Sequence, residues 1–507
     1  MQKRQIVNIV NFIRGVEPRV KMDLVEPVVE QIKLMKKRGL RGTFLVQYDA
    51  LGMPEFTDIL KELDTKQFEL GVWHEIVEPM CDDCGIKWRG RFPWDWHVHC
   101  GFSLGYDKTE REKLADALFE KFKGVFGYYP RSFGSWFYDT HTIRYISGKY
   151  ELDALCNCKE QYGTDGYTLW GGYYGQGYYP SSNNVFMPAQ SEDTEIKVPL
   201  FRMLGSDPVY QYDFGTSAES GAQRFQGVIT LEPVYINGGG GGNTKWVDWY
   251  LKENFNGDCL SFGYAQAGQE NSFGWKSMKD GLEYQFEKFE QLQKDGKLCC
   301  ETLGETGRWY KNTYKTTPPS AITAHDAWDD GEKRSVWYSS KKYRVNLFSD
   351  KNGLRIRDLH IFSDNFCDPY EDKVCDKNEA AYESLPVVDG NRFSGNGVLA
   401  GAYLTKGGES VQNAPIVFED VGEIAKVSFG DIVFTLTEDT LSIECGECVL
   451  ENRIGRDDAC PRVAKLGEKE LVLEYAGCTY GIKLTSGIFV DENRIKPENG
   501  TITAVFD

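Results

Sequence analysis

Phe68-Glu69-Leu70-Gly71-Val72-Trp73-His74-Glu75-Ile76-Val77-Glu78 begins as an apolar, strand-like run, breaks at one glycine and then delivers a Trp, a His and a Glu side by side. A buried strand that empties into clustered polar and aromatic side chains is the form a parallel sheet takes where it opens into a binding cleft. The flanking sequence repeats this layout. Upstream lie a strand over 6–12, a helix whose Val25, Val28, Val29, Ile32, Leu34 and Met35 fall at helical spacing before Gly39, and a strand over 42–48 with Asp49 just beyond it. A helix over 54–63 then leads into the opening stretch.

Downstream, 79–106 is a long insertion rich in Trp and Arg, including Lys87-Trp88-Arg89-Gly90-Arg91 and Trp94-Asp95-Trp96-His97, and connections of this length tend to carry function. A helix over 109–125 follows, then a strand over 132–137 with Trp136 within it and Asp139 at its exit, and a fifth strand over 154–158. The stretch 167–184 is Gly- and Tyr-rich, neither helical nor alternating, and reads as a ligand-facing loop containing Trp170 and Tyr173-Tyr174. Strands over 196–202 and 227–231 precede Asp207 and Glu232 respectively. A Gly run at 238–242, a helix from 244, a strand over 259–264 leading to Glu270, and a helix over 279–292 complete this part.

Alternating strands and helices to about residue 315 predict an α/β domain with a largely parallel sheet. Thr316-Thr317-Pro318-Pro319-Ser320 reads as a linker, after which only short alternating runs occur, such as Tyr343-Arg344-Val345-Asn346-Leu347 and Asp431-Ile432-Val433-Phe434-Thr435-Leu436. The expectation is a barrel domain over 1–315 and an antiparallel β-sandwich over 316–507.

Composition narrows the partners. The formal net charge of −18, with no basic stripe, argues against nucleic acid and anionic membranes. No apolar run approaches the roughly 20 residues of a membrane span, and the chain reads as soluble and cytoplasmic, with a homo-oligomer left open. The 12 Trp, 28 Tyr and 29 Phe suit sugar stacking as well as they suit a large core. The 14 Cys read mainly as reduced core thiols. Cys81, Cys84, His97, His99 and Cys100 offer metal-type donors, but their spacing fits no common finger, and Cys445, Cys448 and Cys460 read as a turn in a β domain.

With these strands laid out, Gly39-Leu40-Arg41-Gly42-Thr43-Phe44-Leu45-Val46, Phe68 to His74, and Phe126-Gly127-Tyr128-Tyr129-Pro130-Arg131-Ser132-Phe133-Gly134 resemble the second, third and fourth strand regions of the polysaccharide deacetylase superfamily. That resemblance implies a distorted (β/α)7 barrel. Its metal motifs are missing. Asn11-Phe12-Ile13-Arg14-Gly15 stands where that family has two aspartates, and Trp73 to Glu78 where it has two histidines, so only His74, Glu78 and Asp49 would remain as a metal set. The barrel-plus-sandwich order also resembles α-mannosidase and α-glucanotransferase type glycoside hydrolases. Their nucleophile at the end of strand four and acid at strand seven imply Asp139 and Glu232 here, with Glu75 as a third candidate.

Each carboxylate also has a structural reading: Asp139 as a helix cap, Glu232 as a strand end, Glu75 as a partner of Arg14 or Arg89. Asp165 and Asp207 sit in turn-like contexts. The expected enzyme is a glycoside hydrolase needing no cofactor or metal, acting on an oligosaccharide or glycoside. Substrate would be held by Arg14, Tyr48, Trp73, His74, Trp136, Asp165, Trp170, Asp207 and Glu270. A metal-dependent deacetylase and a non-catalytic sugar-binding protein are the alternatives.

Overall fold

The computed structural model describes residues 3–203 and 205–506. Five strands, β1 (Gln5–Ile13), β2 (Gly42–Val46), β3 (Phe68–Trp73), β4 (Ser132–Gly134) and β5 (Ala154–Asn157), run parallel in sequence order. Leu200–Arg202 continues the sheet beside β5, and Gly263–Ala267 and Cys299–Glu301 both pair in parallel with β1. Every residue of β1 and β2 is buried, as expected of a parallel sheet covered on both faces, so even Asn8 and Asn11 lie inside.

The helices lie where their signals place them. The helix Val25–Arg38 stops at Gly39, whose φ of 64° is left-handed. The helix Lys108–Phe126 starts with an Asp107–Glu110 capping box and stops at Gly127. Further helices span Thr244–Asn254, Trp275–Lys294 and Leu303–Thr313, the last of which the sequence reading did not separate from the linker.

The sheet curls into a distorted (β/α)7-like barrel with an open seam: among the described residues no pairing joins Leu200–Arg202 to Gly263–Ala267. The seam is filled by 205–243. The strand expected over 227–231 is absent there, reduced to one bridge between Ser206 and Thr230, because glycines and prolines on either side favour turns. The run over 259–264 is also two strands. Cys259–Leu260 and Gly263–Ala267 belong to different sheets, and the chain turns between them at Ser261, whose φ is 57°.

Beyond the barrel, antiparallel strands build a β-sandwich. Tyr343–Asp350 and Gly353–Ile361 lie in one sheet, Ile432–Leu436 and Thr440–Glu444 in the other. Leu347, Ile356, Phe434, Ile443 and Leu473 meet in a shared apolar core. The sheets interlock with the barrel. Cys259–Leu260 adds to Ser320–Ala324, and Tyr167–Trp170 pairs in parallel with Ala380–Glu383. The fourteen cysteines are all thiols, and none of the described helices is long and apolar enough to cross a membrane.

Gly71 is the break in the opening stretch, and its neighbours show why no larger residue stands there: a Cβ would come 2.6 Å from the Ser132 carbonyl oxygen and 2.7 Å from Leu45 Cδ2. Gly71→Ala is expected to destabilise the fold by about 1–3 kcal/mol, as overpacking does, read from the midpoint of urea unfolding. An unchanged midpoint would show that β3 and β4 can move apart.

Candidate active site

The carboxyl ends of the parallel strands open into one pocket of about 150 Å³. Arg14 follows β1, Glu75 follows β3, Trp136 follows β4, Lys159 follows β5 and Glu270 follows Gly263–Ala267. Glu232 and Tyr235 reach the pocket from the segment that fills the seam, and Trp94 and Trp96 from the long insertion. Side chains gathered from several strand ends are how barrels assemble sites.

Arg14 organises one side. Its Nε and Nη2 each donate a 2.9 Å bond to Glu75, a two-pronged contact, and its Nη1 reaches Glu270 and donates to Ser272 Oγ at 3.1 Å. Gln47 Nε2 adds a 3.3 Å bond to Glu75, and Ser272 Oγ donates at 2.7 Å to the second Glu270 oxygen. Burial disfavours a charged guanidinium, but the Glu270 and Glu75 charges outweigh it and hold Arg14 firmly protonated. The guanidinium also lies 4.2 Å from the Trp94 ring centroid, and Arg19 sits 5.0 Å from both Trp94 and Trp96.

Glu232 differs. Among the described residues it makes no ion pair; Thr230 Oγ1 donates to its carboxylate at 3.0 Å, and the Gln269 side chain also bonds to it. Burial raises its pKa to about 7, against the opposing pull of Lys159 and with a contribution from the Glu270 charge. Burial likewise raises Glu270, with Arg14 and Ser272 opposing. The pocket therefore holds Glu232, raised to about 7, beside Glu75 and Glu270, both of which pair with Arg14.

Of the residues singled out from sequence, Arg14, Glu75, Trp136, Asp165, Glu232 and Glu270 converge here, and Asp165 stands at the exposed rim. The others do not line this pocket. Asp139 is fully buried as the N-cap of Thr140–Lys149: it accepts from Thr142 N at 2.9 Å and Thr142 Oγ1 at 2.6 Å, from Ser103, and from Arg111 at 3.0 Å. β4 ends at Gly134, so the chain has turned into the helix before Asp139 can face the mouth.

Trp73 stacks on Phe12 at 3.9 Å beneath the site and meets Trp136 edge-on. Tyr48 donates to Asp83 at 2.6 Å, Trp170 to Asp389 at 2.8 Å, and Asp207 accepts from Trp246 at 2.7 Å as well as capping its own turn. His74 is buried against Phe133, and burial lowers its pKa to about 4.

The deacetylase-type metal set does not fit these residues. Asp49 accepts from the backbone of Ala50 and Gly15, His74 Nε2 is buried with no partner, and no three His, Cys, Asp or Glu side chains among the described residues gather as ligands. Cys81 instead contacts the Tyr106 hydroxyl and Cys100 the His97 carbonyl, with burial raising the two thiols to about 11 and about 12. Asn11, at the position of the missing aspartates, accepts from Gln269 N at 3.1 Å and so fixes the strand that carries Glu270.

Sequence reasoning missed Lys159, Tyr167 and Tyr235 as site residues. The signal was present for Lys159, a charged residue directly after an apolar strand. Tyr235 had none, because its segment lacks periodicity.

No protein-family model and no curated protein sequence matches the chain. In structure it is similar to a candidate glycoside hydrolase/deacetylase from Parabacteroides distasonis, with a TM-score of 0.58 and 16% identity over 76% of this chain and 91% of that one. At that identity the likeness is one of fold. Weaker likenesses are a candidate polysaccharide deacetylase from Mycobacterium smegmatis (TM-score 0.38, 13% identity, 63% and 93% covered) and a GH57-type branching enzyme from Pyrococcus horikoshii (TM-score 0.32, 11% identity, 62% and 72% covered).

Asp139→Ala is expected to cost about 3–5 kcal/mol, because it strips a helix cap and leaves Arg111 buried without its charge partner. Urea unfolding measures this. A variant of full stability but no turnover would return Asp139 to the chemistry.

Proposed function

We propose that the chain is a carbohydrate-active enzyme, a glycoside hydrolase in which Glu232 is the proton donor and Glu270 the ionised partner. The observation that carries this reading is the difference in partners between two carboxyls that burial raises alike: Glu232, at about 7, makes no ion pair among the described residues, whereas Glu270 is gripped by Arg14. Glycosidic cleavage needs such a pair. As the bond from the anomeric carbon to the leaving oxygen breaks, Glu232 delivers its proton to that oxygen. Glu270 faces the positive charge that develops on the ring, and water supplies the hydroxyl of the second product, its proton returning to a carboxylate.

Glu75 then has a positioning role. Its two-pronged hold on Arg14 fixes the guanidinium that pairs with Glu270. Trp94, Trp96, Trp136 and Tyr235 line the same pocket and offer flat faces to sugar C–H groups. The fold shared with the Parabacteroides protein supports a carbohydrate substrate, since that protein's description spans hydrolysis and deacetylation. The donor set favours the hydrolytic branch, because no metal cradle is built from His74, Glu78 and Asp49.

On a panel of aryl glycosides, Glu232→Gln and Glu270→Gln are each expected to lower kcat by about 10²–10⁴-fold, the usual range for removing an acid or base. Glu75→Gln is expected to lose less. Full activity in Glu232→Gln refutes the assignment. A carboxyl with a pKa of about 7 is protonated below that pH, so kcat should fall as pH rises through about 7, and a rate still climbing to pH 9 would contradict a Glu232 proton donor.

A further inference from the structure

Two basic side chains buried beneath the mouth make no ion pair among the described residues; burial lowers the Lys159 pKa, with the Glu232 charge among the opposing ones. Arg202 ends Leu200–Arg202 and stands in register with Asn157, the last residue of β5; Lys159 follows two residues later. Lys159 is 2% exposed and Arg202 5%. The Lys159 ammonium donates one hydrogen bond, to the Glu160 carbonyl at 3.2 Å. Arg202 spends Nε on the Cys158 carbonyl at 2.7 Å and Nη1 on the Tyr173 carbonyl at 3.2 Å, while its Nη2 has no partner among the described residues.

This is unlike the other buried arginines. Arg14, Arg111, Arg344, Arg355, Arg357 and Arg392 each hold an Asp or Glu within ion-pair distance. The adjacent Glu160 is committed to Arg344, and Glu232 is the carboxyl that must keep its proton. A buried charge left uncompensated is expensive, so a site that keeps two of them side by side is built for an anion that arrives with a ligand.

The space agrees with the charge. Arg202, Lys159, Ser206 and Gln266 line an internal cavity of about 30 Å³, and the Ser206 hydroxyl also has no partner. Lys159 lines both this cavity and the larger pocket, so the two spaces meet at one side chain. A sugar ring would remain in the larger pocket against the aromatic rings, with a charged substituent reaching down.

We propose that Lys159 and Arg202 form an anion subsite that takes the carboxylate of a uronic-acid residue or the sulfate of a sulfated sugar, so that the substrate is an anionic glycoside. This rests on the reading of the pocket as a sugar site. An anion there would also offset the Lys159 charge that otherwise favours ionised Glu232, so substrate binding would itself help the acid keep its proton.

The test is calorimetric titration of full-length Glu232→Gln protein at pH 6 with methyl glucuronide, methyl galacturonide, the matching 6-sulfates and the matching neutral methyl glycosides. At least one anionic sugar should bind more tightly than its neutral counterpart by about tenfold or more, as expected for charge-assisted hydrogen bonds. Whether the uronates or the sulfates show the preference identifies the anion. Adding Lys159→Met or Arg202→Met should abolish that preference, read as the ratio of anionic to neutral affinity within the same variant. Lys159→Met decides the matter if Arg202→Met does not fold, because Lys159 makes a single hydrogen bond. Equal binding of anionic and neutral sugars, or a preference that survives Lys159→Met, overturns the subsite. Selective binding of an anionic sugar by a wild-type protein that cleaves no glycoside would uphold the subsite and refute the hydrolase, whereas no binding of any sugar refutes both.

Discussion

The Arg14 guanidinium, held between Glu75 and Glu270, is the contact on which the arrangement of the barrel mouth depends. The three residues follow β1, β3 and Gly263–Ala267, so one cation ties together strand ends on both sides of the first strand. Taking three charges out of water is costly, and a buried ionic cluster is not by itself a source of stability. What it supplies is position. With both Glu75 oxygens occupied and Glu270 fixed by Arg14 and Ser272, the pocket has a rigid anionic side against which Glu232, on the less regular seam, stands alone. The different behaviour of the carboxyls follows from that division.

Much of the barrel was legible because its strands are buried on both faces and its helices carry explicit end signals. β1, β2, β3 and the capped helix Lys108–Phe126 lie close to where periodicity and capping residues put them. The seam was not legible. Residues 227–231 have strand-like composition but no neighbouring strand to pair with, and 259–264 is divided by a left-handed turn at Ser261 that no local pattern announces. Both failures concern tertiary pairing, which propensity does not encode.

The site divides in the same way. Glu75 and Arg14 could be linked from sequence because both directly follow strong strands. Asp139 stands away from the pocket for a reason of length: the strand before it is three residues long, and Asp139 already caps the helix that follows. Trp170 and Asp207 looked like ligand contacts because they sit in Gly- and Pro-rich segments. They instead join the barrel to neighbouring elements through Asp389 and Trp246. Trp170 in fact ends a short strand, Tyr167–Trp170, that its Gly- and Tyr-rich surroundings did not announce.

The Glu160–Arg344 contact places a constraint on the order of assembly. Glu160 is the immediate neighbour of Lys159, yet its partner lies 184 residues further along the chain, on Tyr343–Asp350, where Arg344 is also held by Asp358. During synthesis the five first strands leave the ribosome well before that arginine exists. The Glu160 contact can therefore form only once Tyr343–Asp350 lies beside the segment after β5. The floor of the pocket is in this sense a late product of folding, completed by a part of the protein that contributes nothing to its lining.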